Sequence, residues 1–394
     1  MNTSFQFQLP EGYTREQVEI LLAEHYTFKV EEPVSTSWAL YDTFDWRLFK
    51  KSLTLHQLGQ WFFLRSLPDG QALHRILPSA APKFAQDFPD SPLKEDLQTI
   101  IDPRALLKLS ELTTKSYAYR ILNRDKKTVA RLVYTAGWTT PDASSTARVI
   151  YLNLLPVRGY PKYTRGLTAH LESAGLSLSK WQDLYFSALE AVGQDPGSYS
   201  SKIDVQLEPG MRADEATKII LCRLLQIIRA NQAGIKADID VEFLHDYRVA
   251  IRRTRSALSQ IKNVFPEDIT HQFKQDFAYL GKLTNELRDL DVYLLSEEVY
   301  RSMLPAVLRD DINPLFDYLR AQRKQTLEAV ITSFDQERSK RILLNWKTFL
   351  REPVPETRQP AGAMTPIIEL ARKRIYKHYR RIIKDGQEIL KSPQ

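Results

Sequence analysis

The stretch FLHDYRVAIRRTRSAL, residues 243–258, sets one histidine and four arginines into sixteen residues that otherwise carry a helical apolar pattern. At about 100° per residue, His245, Arg248, Arg252 and Arg255 fall within an arc of about 80°, one stripe about three turns long. Arg253 lies on its flank. An unpaired buried guanidinium costs several kcal/mol, so the stripe is not ordinary core. It is solvated, or it meets acids such as Glu242, Asp246, Asp289 and Asp291, or it holds an anion. A second segment, ARKRIYKHYRRIIKDG (371–386), repeats the offsets of three, seven and ten with Arg374, Lys377, Arg381 and Lys384, and His378 shares that face. Two such rows repel each other unless something negative lies between them. Arginine offers paired N–H donors to phosphate oxygens, each charge-assisted bond being worth about 1.5–3 kcal/mol. A linear phosphate polymer repeats its charge along its length, as a stripe does.

The elements that must hold these rows change character along the chain. Up to about residue 155, runs such as FQFQL (5–9), SWALYDTF (37–44), SLTLHQL (52–58), WFFLRSL (61–67), SYAYRIL (116–122), TVARLVYTAGW (128–138) and ARVIYLNLL (147–155) alternate apolar with polar residues. That is the period of antiparallel strands, and seven of them predict a curled sheet or barrel. Helices are expected at 14–25 and 163–175. Beyond residue 211 the period becomes three to four, predicting helices over about 212–235, 241–263, 270–301, 313–332, 337–350 and 363–390. The stretch 193–211, rich in Gly, Pro and Ser, reads as a linker. The fold class expected is therefore α+β in two domains, 1–192 and 212–394. The proline-rich 351–366 interrupts the helical half once.

Charge follows the same division. Residues 1–210 balance at 23 Lys+Arg and 23 Asp+Glu, whereas residues 211–394 carry 32 against 25, so the whole net charge of +7 lies in the helical half. That asymmetry fits a polyanionic partner there. A single cysteine, Cys222, excludes an internal disulfide framework. No signal-peptide pattern opens the sequence and no run approaches the roughly 18–20 apolar residues of a membrane span, which together suggest a soluble cytoplasmic protein and no membrane partner. His56 and His74 have no companion at metal-ligand spacing, and no phosphate-binding glycine loop or nucleophile elbow is present. No metal, cofactor or catalytic residue is expected.

DIDVEFLHDYRVAIRRTRSALSQIKNVFP (238–266) closely resembles the first signature of the CHAD family of histidine-containing α-helical domains. The family pattern is matched by His245, Arg248, Arg252, Arg253 and Arg255. LTNELRDLDVYL (283–294) resembles the family's Arg-Asp-x-Asp segment through Arg288, Asp289 and Asp291. The resemblance covers about 212–390 and implies an antiparallel helical bundle whose basic groove binds inorganic polyphosphate without cofactor or catalysis. With the matched spacing of the second row, phosphates are expected to bind to His245, Arg248, Arg252 and Arg255 from one wall and to Arg374, Lys377, His378 and Arg381 from another, with Arg253 and Arg288 supporting. The resemblance also implies association with polyphosphate granules or polyphosphate-metabolising proteins. The family's second half, with its own histidine motif, has no counterpart before LKSPQ, which suggests a domain lacking part of that half.

The N-terminal half resembles the CYTH family of triphosphate tunnel enzymes through ALYDTFDWRLFKKSLTL (39–55). Those are antiparallel barrels whose first strand carries Glu-x-Glu-x-Lys to hold a metal-bound triphosphate. MNTSFQFQLP has no charged side chain, and LTLHQLGQ offers only His56 where a basic strand is expected. Glutamine supplies a carbonyl oxygen but not the charge a hard-cation site depends on. The expectation is a barrel without its metal site, with Lys83, Arg120, Arg124 and Arg131 as residual cations. Three alternatives remain open: a metal-dependent triphosphate hydrolase, a nucleic-acid binder and an acidic-protein docking module. Tyr376 and Tyr379 are the few aromatics available for base stacking, which weighs against nucleic acid.

Overall fold

The computed structural model describes residues 5–10, 12–139, 149–353 and 359–391. The chain divides into two compact units, Met1–Tyr199 and Ser200–Gln394. In the first, ten strands form one antiparallel sheet: β1 (Phe5–Gln8), β2 (Thr27–Val30), β3 (Val34–Asp42), β4 (Leu53–Leu58), β5 (Trp61–Ser66), β6 (Ala72–Ile76), β7 (Leu107–Leu122), β8 (Thr128–Trp138), β9 (Val149–Pro156) and β10 (Ser177–Ser179). Their order is β10-β1-β9-β8-β7-β3-β4-β5-β6, with β2 paired to β7. Residues 147–148 of the last expected strand lie outside the described residues.

Alternation decides what each face meets. On one face, Phe62 and Leu64 of β5 pack with Leu93, Leu97 and Ile101 of α2 (Pro92–Ile101). Further along that face, Val18 and Leu22 of α1 (Arg15–Ala23) and Leu167 and Leu171 of α3 (Pro161–Ser173) cover Phe7, Leu132 and Leu152. The opposite, concave face receives α4 (Trp181–Glu190), whose Leu184, Tyr185, Ala188 and Leu189 pack on Trp38, Leu40, Leu112 and Val149. The sheet curls around this helix. Gly70, at φ +70° in the β5–β6 turn, lies so close to Trp181 that a Cβ there would come within 2.6 Å of its Cβ. Among the described residues no ladder joins β6 to β10, so side chains rather than backbone pairing close the curl.

The second unit is helical: α5 (Ala213–Lys236), α6 (Val241–Gln260), α7 (Glu267–Lys282), α8 (Asn285–Leu295), α9 (Glu297–Met303), α10 (Asn313–Asp335), α11 (Glu337–Arg351) and α12 (Ile367–Lys391). The Asp240 carboxylate accepts the N–H groups of Glu242 and Phe243 and so starts α6. α5 and α6 approach closely because Gly234 has no side chain; a Cβ there would lie 2.1 Å from the Phe243 ring. Phe273, Phe277, Trp346 and Phe349 build an aromatic core between α7 and α11. The single helix expected over 270–301 is three, because the chain breaks at the buried Thr284 and again at Ser296. Among the described residues, no helix is long and apolar enough to cross a membrane.

Candidate anion-binding cleft

Phe243, Leu244, Asp246, Tyr247, Ala250, Ile251, Thr254 and Leu258 are the buried side of α6. That commits His245, Arg248, Arg252 and Arg255 to the other side, over the junction between α7 and α8. Together with Ala278, Gly281, Lys282, Asn285 and Arg288 they line an open cleft of about 560 Å³. One histidine, four arginines and one lysine surround it, and among the described residues its lining contains no carboxylate.

Arg248 is the fixed point. Its Nη1 donates to the Thr284 hydroxyl at 2.8 Å, the Asn285 side-chain oxygen at 2.9 Å and the Gly281 carbonyl at 3.2 Å. One edge of the guanidinium is thereby held on a residue that lines the cleft. Burial pulls the Arg248 pKa below its ordinary value; Asp289 opposes that shift, and the positive charges of Arg288 and Arg252 add to it. Arg288 contributes a buried Nη1 with no hydrogen-bond partner. Of the Arg-Asp-x-Asp segment, Asp291 is not in the cleft lining but is buried against Arg323 at 2.6 Å, while Arg323 also reaches Asp238 at 2.7 Å. That triad ties α8 to α10 and to the α5–α6 turn. Cations crowded in one concavity form a receptor for a multiply charged oxyanion.

Five of the ten residues singled out in the sequence meet here: His245, Arg248, Arg252, Arg255 and Arg288. The others do not. Arg253 projects from a different side of α6 and donates to the Ser201 carbonyl at 2.9 Å. The two basic rows do not face each other across one groove, and that expectation is corrected. α12 is tied to the bundle near its start, where the Ile367 N–H donates to the Met211 carbonyl at 2.8 Å, and most of its length is exposed. Arg374 and Lys377 instead line a separate cleft of about 860 Å³ with Lys262, Lys373 and Arg380. His378 contacts the Gln260 side chain at 3.1 Å, and Arg381, exposed, pairs with Asp385 at 3.4 Å. Lys282 and Asn285 were not anticipated, because the periodicity ran unbroken through the junction that places them.

The sheet's concave face has a different character. Ladder register puts Gln6 opposite Asn153 and Ser179, and Gln8 opposite Tyr151 and Ser177. The Gln6 amide donates to the Ser179 hydroxyl at 3.3 Å and the Gln8 amide to the Ser187 hydroxyl of α4 at 3.1 Å. Beside them lies a cavity of about 400 Å³ whose lining includes a single carboxylate, Glu190 of α4. The ten strands hold only two acids, Asp42 and Glu111. Asp42 is buried and accepts the backbone N–H groups of Thr43, Leu48 and Phe49; burial outweighs these and pushes its pKa up to about 6. Glu111 pairs with Lys108 at 2.9 Å. Of the expected residual cations, Lys83 and Arg124 lie in loops, while Arg120 and Arg131 face each other across β7 and β8 and Arg120 lies 3.5 Å from Glu31.

Residues 219–394 match the family model of the CHAD domain. Among solved structures, the CHAD domain from the plant Ricinus communis is similar at 24% identity, over 39% of this chain and 50% of that one, with a TM-score of 0.33. HpAC1 from Hippeastrum, described as having a dominant triphosphatase activity, is 12% identical over 51% of this chain and 100% of its own, with a TM-score of 0.33. A candidate adenylate cyclase of Bacillus halodurans is 13% identical over 45% of this chain and 92% of its own, with a TM-score of 0.28. Among curated proteins, none matches this sequence.

Proposed function

We propose that this chain, whose residues 219–394 match the family model of the CHAD domain, binds inorganic polyphosphate, without turnover, in the cleft between α6 and the α7–α8 junction. The observation that carries the reading is the convergence of His245, Arg248, Arg252, Arg255, Lys282 and Arg288 on one concavity whose lining holds no acid. Arg248, braced from behind, presents a fixed fork, Arg288 adds its charge, and the exposed Arg252 and Arg255 close on successive phosphates. The polymer's counterions are released as the row replaces them.

The sheet unit takes no catalytic part in this reading. A metal-bound triphosphate needs carboxylates facing the lumen. Here glutamines occupy that side of β1, and the apolar side of α4 fills much of the space. Arg120 and Arg131 remain as cations without a metal-holding set beside them.

The test is a titration of the full chain with long-chain polyphosphate at fixed salt, wild type against Arg252→Ala/Arg255→Ala. Both side chains are exposed, so the fold is undisturbed. Loss of two charge-assisted contacts predicts at least a tenfold weaker Kd. Undiminished affinity in the double variant removes the cleft from the account. Displacement of polyphosphate by single-stranded DNA of equal charge at equal concentration would favour a nucleic-acid ligand instead.

A further inference from the structure

Far from the cleft, a second group of side chains has ligand chemistry and the proximity to use it. Glu24 and His25 follow directly on α1, and His170 lies in the last turn of α3. One donor atom from each lies within 4.8 Å of the others, the one such set of three histidine, cysteine or acidic residues among the described residues. The helices that carry them are packed in one core, Val18 and Leu22 of α1 against Leu167 and Leu171 of α3, so the arrangement does not depend on a loose surface.

The local field suits a cation. The last carbonyls of a helix lack intrahelical donors and carry the negative end of its dipole. The Leu21 carbonyl, in the last turn of α1, is met at 2.8 Å by Nε2 of His170, which also lies 4.0 Å from a Glu24 carboxylate oxygen. The rings of His25 and His170 meet edge to face with centroids 4.7 Å apart. Metal–nitrogen and metal–oxygen bonds of about 2.0–2.2 Å place tetrahedral ligands roughly 3.3 Å apart. Ligation therefore requires the exposed Glu24 and His25 side chains to turn toward the less exposed His170. Because Nε2–H of His170 donates to the Leu21 carbonyl, the lone pair left for a metal is on Nδ1 of a neutral imidazole whose orientation that hydrogen bond fixes.

We propose that Glu24, His25 and His170 bind a zinc-class divalent transition-metal ion, leaving a fourth position for water. Two imidazoles and one carboxylate favour such a borderline ion over Mg²⁺ or Ca²⁺, which take oxygen ligands. The ion joins α1 to α3 across the outer face of the sheet. Because it binds the folded state, it raises the stability of this unit. The histidines are distant in sequence, so their spacing gives no sign of the site.

The experiment uses tag-free full-length protein, stripped with chelator and titrated with zinc sulfate. Bound metal is measured by equilibrium dialysis with elemental analysis, and thermal unfolding is followed in parallel. Wild type is expected to retain one zinc per chain and to gain melting temperature, with no such gain from magnesium or calcium. Glu24→Gln/His25→Ala, both at exposed positions, is expected to lose at least tenfold in zinc affinity and the whole thermal gain. His170→Gln, which keeps a donor toward the Leu21 carbonyl, is expected to lose as much. Zinc uptake by wild type that is absent, or that persists unchanged in both variants, overturns the proposal.

Discussion

An arginine braced on one edge of its fork is a different instrument from one that waves in solvent. Arg248, fixed by Gly281, Thr284 and Asn285, loses little further freedom on meeting a ligand, whereas Arg252 and Arg255 must be ordered by it. Arg248→Lys should therefore weaken polyphosphate binding nearly as much as Arg248→Ala, since an ammonium cannot reach three acceptors and a ligand at once. Isothermal titration of both variants checks this, and full recovery by lysine would sink it. His56 makes a stability prediction of a different kind. It is buried between Phe63 and Trp181, its Nδ1 has no partner, and burial, with Arg65 nearby, lowers its pKa to about 3. The unfolded chain takes up that proton near the ordinary imidazole value of about 6.5 and the folded chain does not. Stability is thus full above about pH 6.5 and falls as pH drops toward 3, by up to about 1.4 kcal/mol per pH unit. His56→Phe should flatten this fall. Denaturation monitored by tryptophan fluorescence, with Trp38 and Trp181 as neighbours, reads the difference between the two profiles.

At the scale of the element, the close approach of α5 and α6 sets the angle from which the cationic row overlooks the α7–α8 junction. Gly234→Ala pushes a methyl into the Phe243 ring and should cost at least about 1–3 kcal/mol, as overpacking of a tight core does. Urea unfolding followed by helical circular dichroism measures that cost, and an unchanged midpoint would show that the helices can part freely. The row itself was legible in the sequence because helical spacing is rigid: once Phe243, Tyr247, Ala250 and Thr254 are buried, Arg248 and Arg252 have nowhere else to go. The partner of the row was not legible. Spacing orders residues within a helix but not between helices, so α12, with matched offsets, was placed opposite α6, whereas its cations line a cleft of their own. The same limit hid Lys282 and Asn285, which depend on a break at Thr284 that apolar periodicity does not mark. In the sheet unit, long alternating strands stood out, while β2, β6, β10, α2 and α4 escaped. Each is short, and what fixes it is a neighbour rather than its own pattern; α4 exists as a helix against Trp38 and Leu112.

At the scale of the whole molecule, charge and chemistry are divided between the two units. The sheet unit, nearly neutral overall and with a lumen side poor in carboxylates, should release no phosphate from tripolyphosphate with Mg²⁺ or Mn²⁺, in a malachite-green assay of the full chain; metal-dependent release would restore the hydrolase reading. The helical half holds the entire excess of positive charge, and two origins of polyanion affinity then compete. If affinity arose from the diffuse field of the +7 chain, removing any two surface cations would matter equally. If it arises in the cleft, the four arginines and one lysine that line it neutralise phosphates at fixed positions. The logarithm of the binding constant should then fall with the logarithm of salt at a slope of roughly −3.5 to −4.5, taking about −0.7 to −0.9 per phosphate. Arg252→Ala/Arg255→Ala should make that slope shallower by roughly 1.5, while Arg381→Ala/Lys384→Ala, equal in formal charge but on exposed α12, should leave it unchanged. Fluorescence anisotropy of labelled polyphosphate at four salt concentrations separates the two cases, since equal slopes for both double variants can come only from the diffuse field.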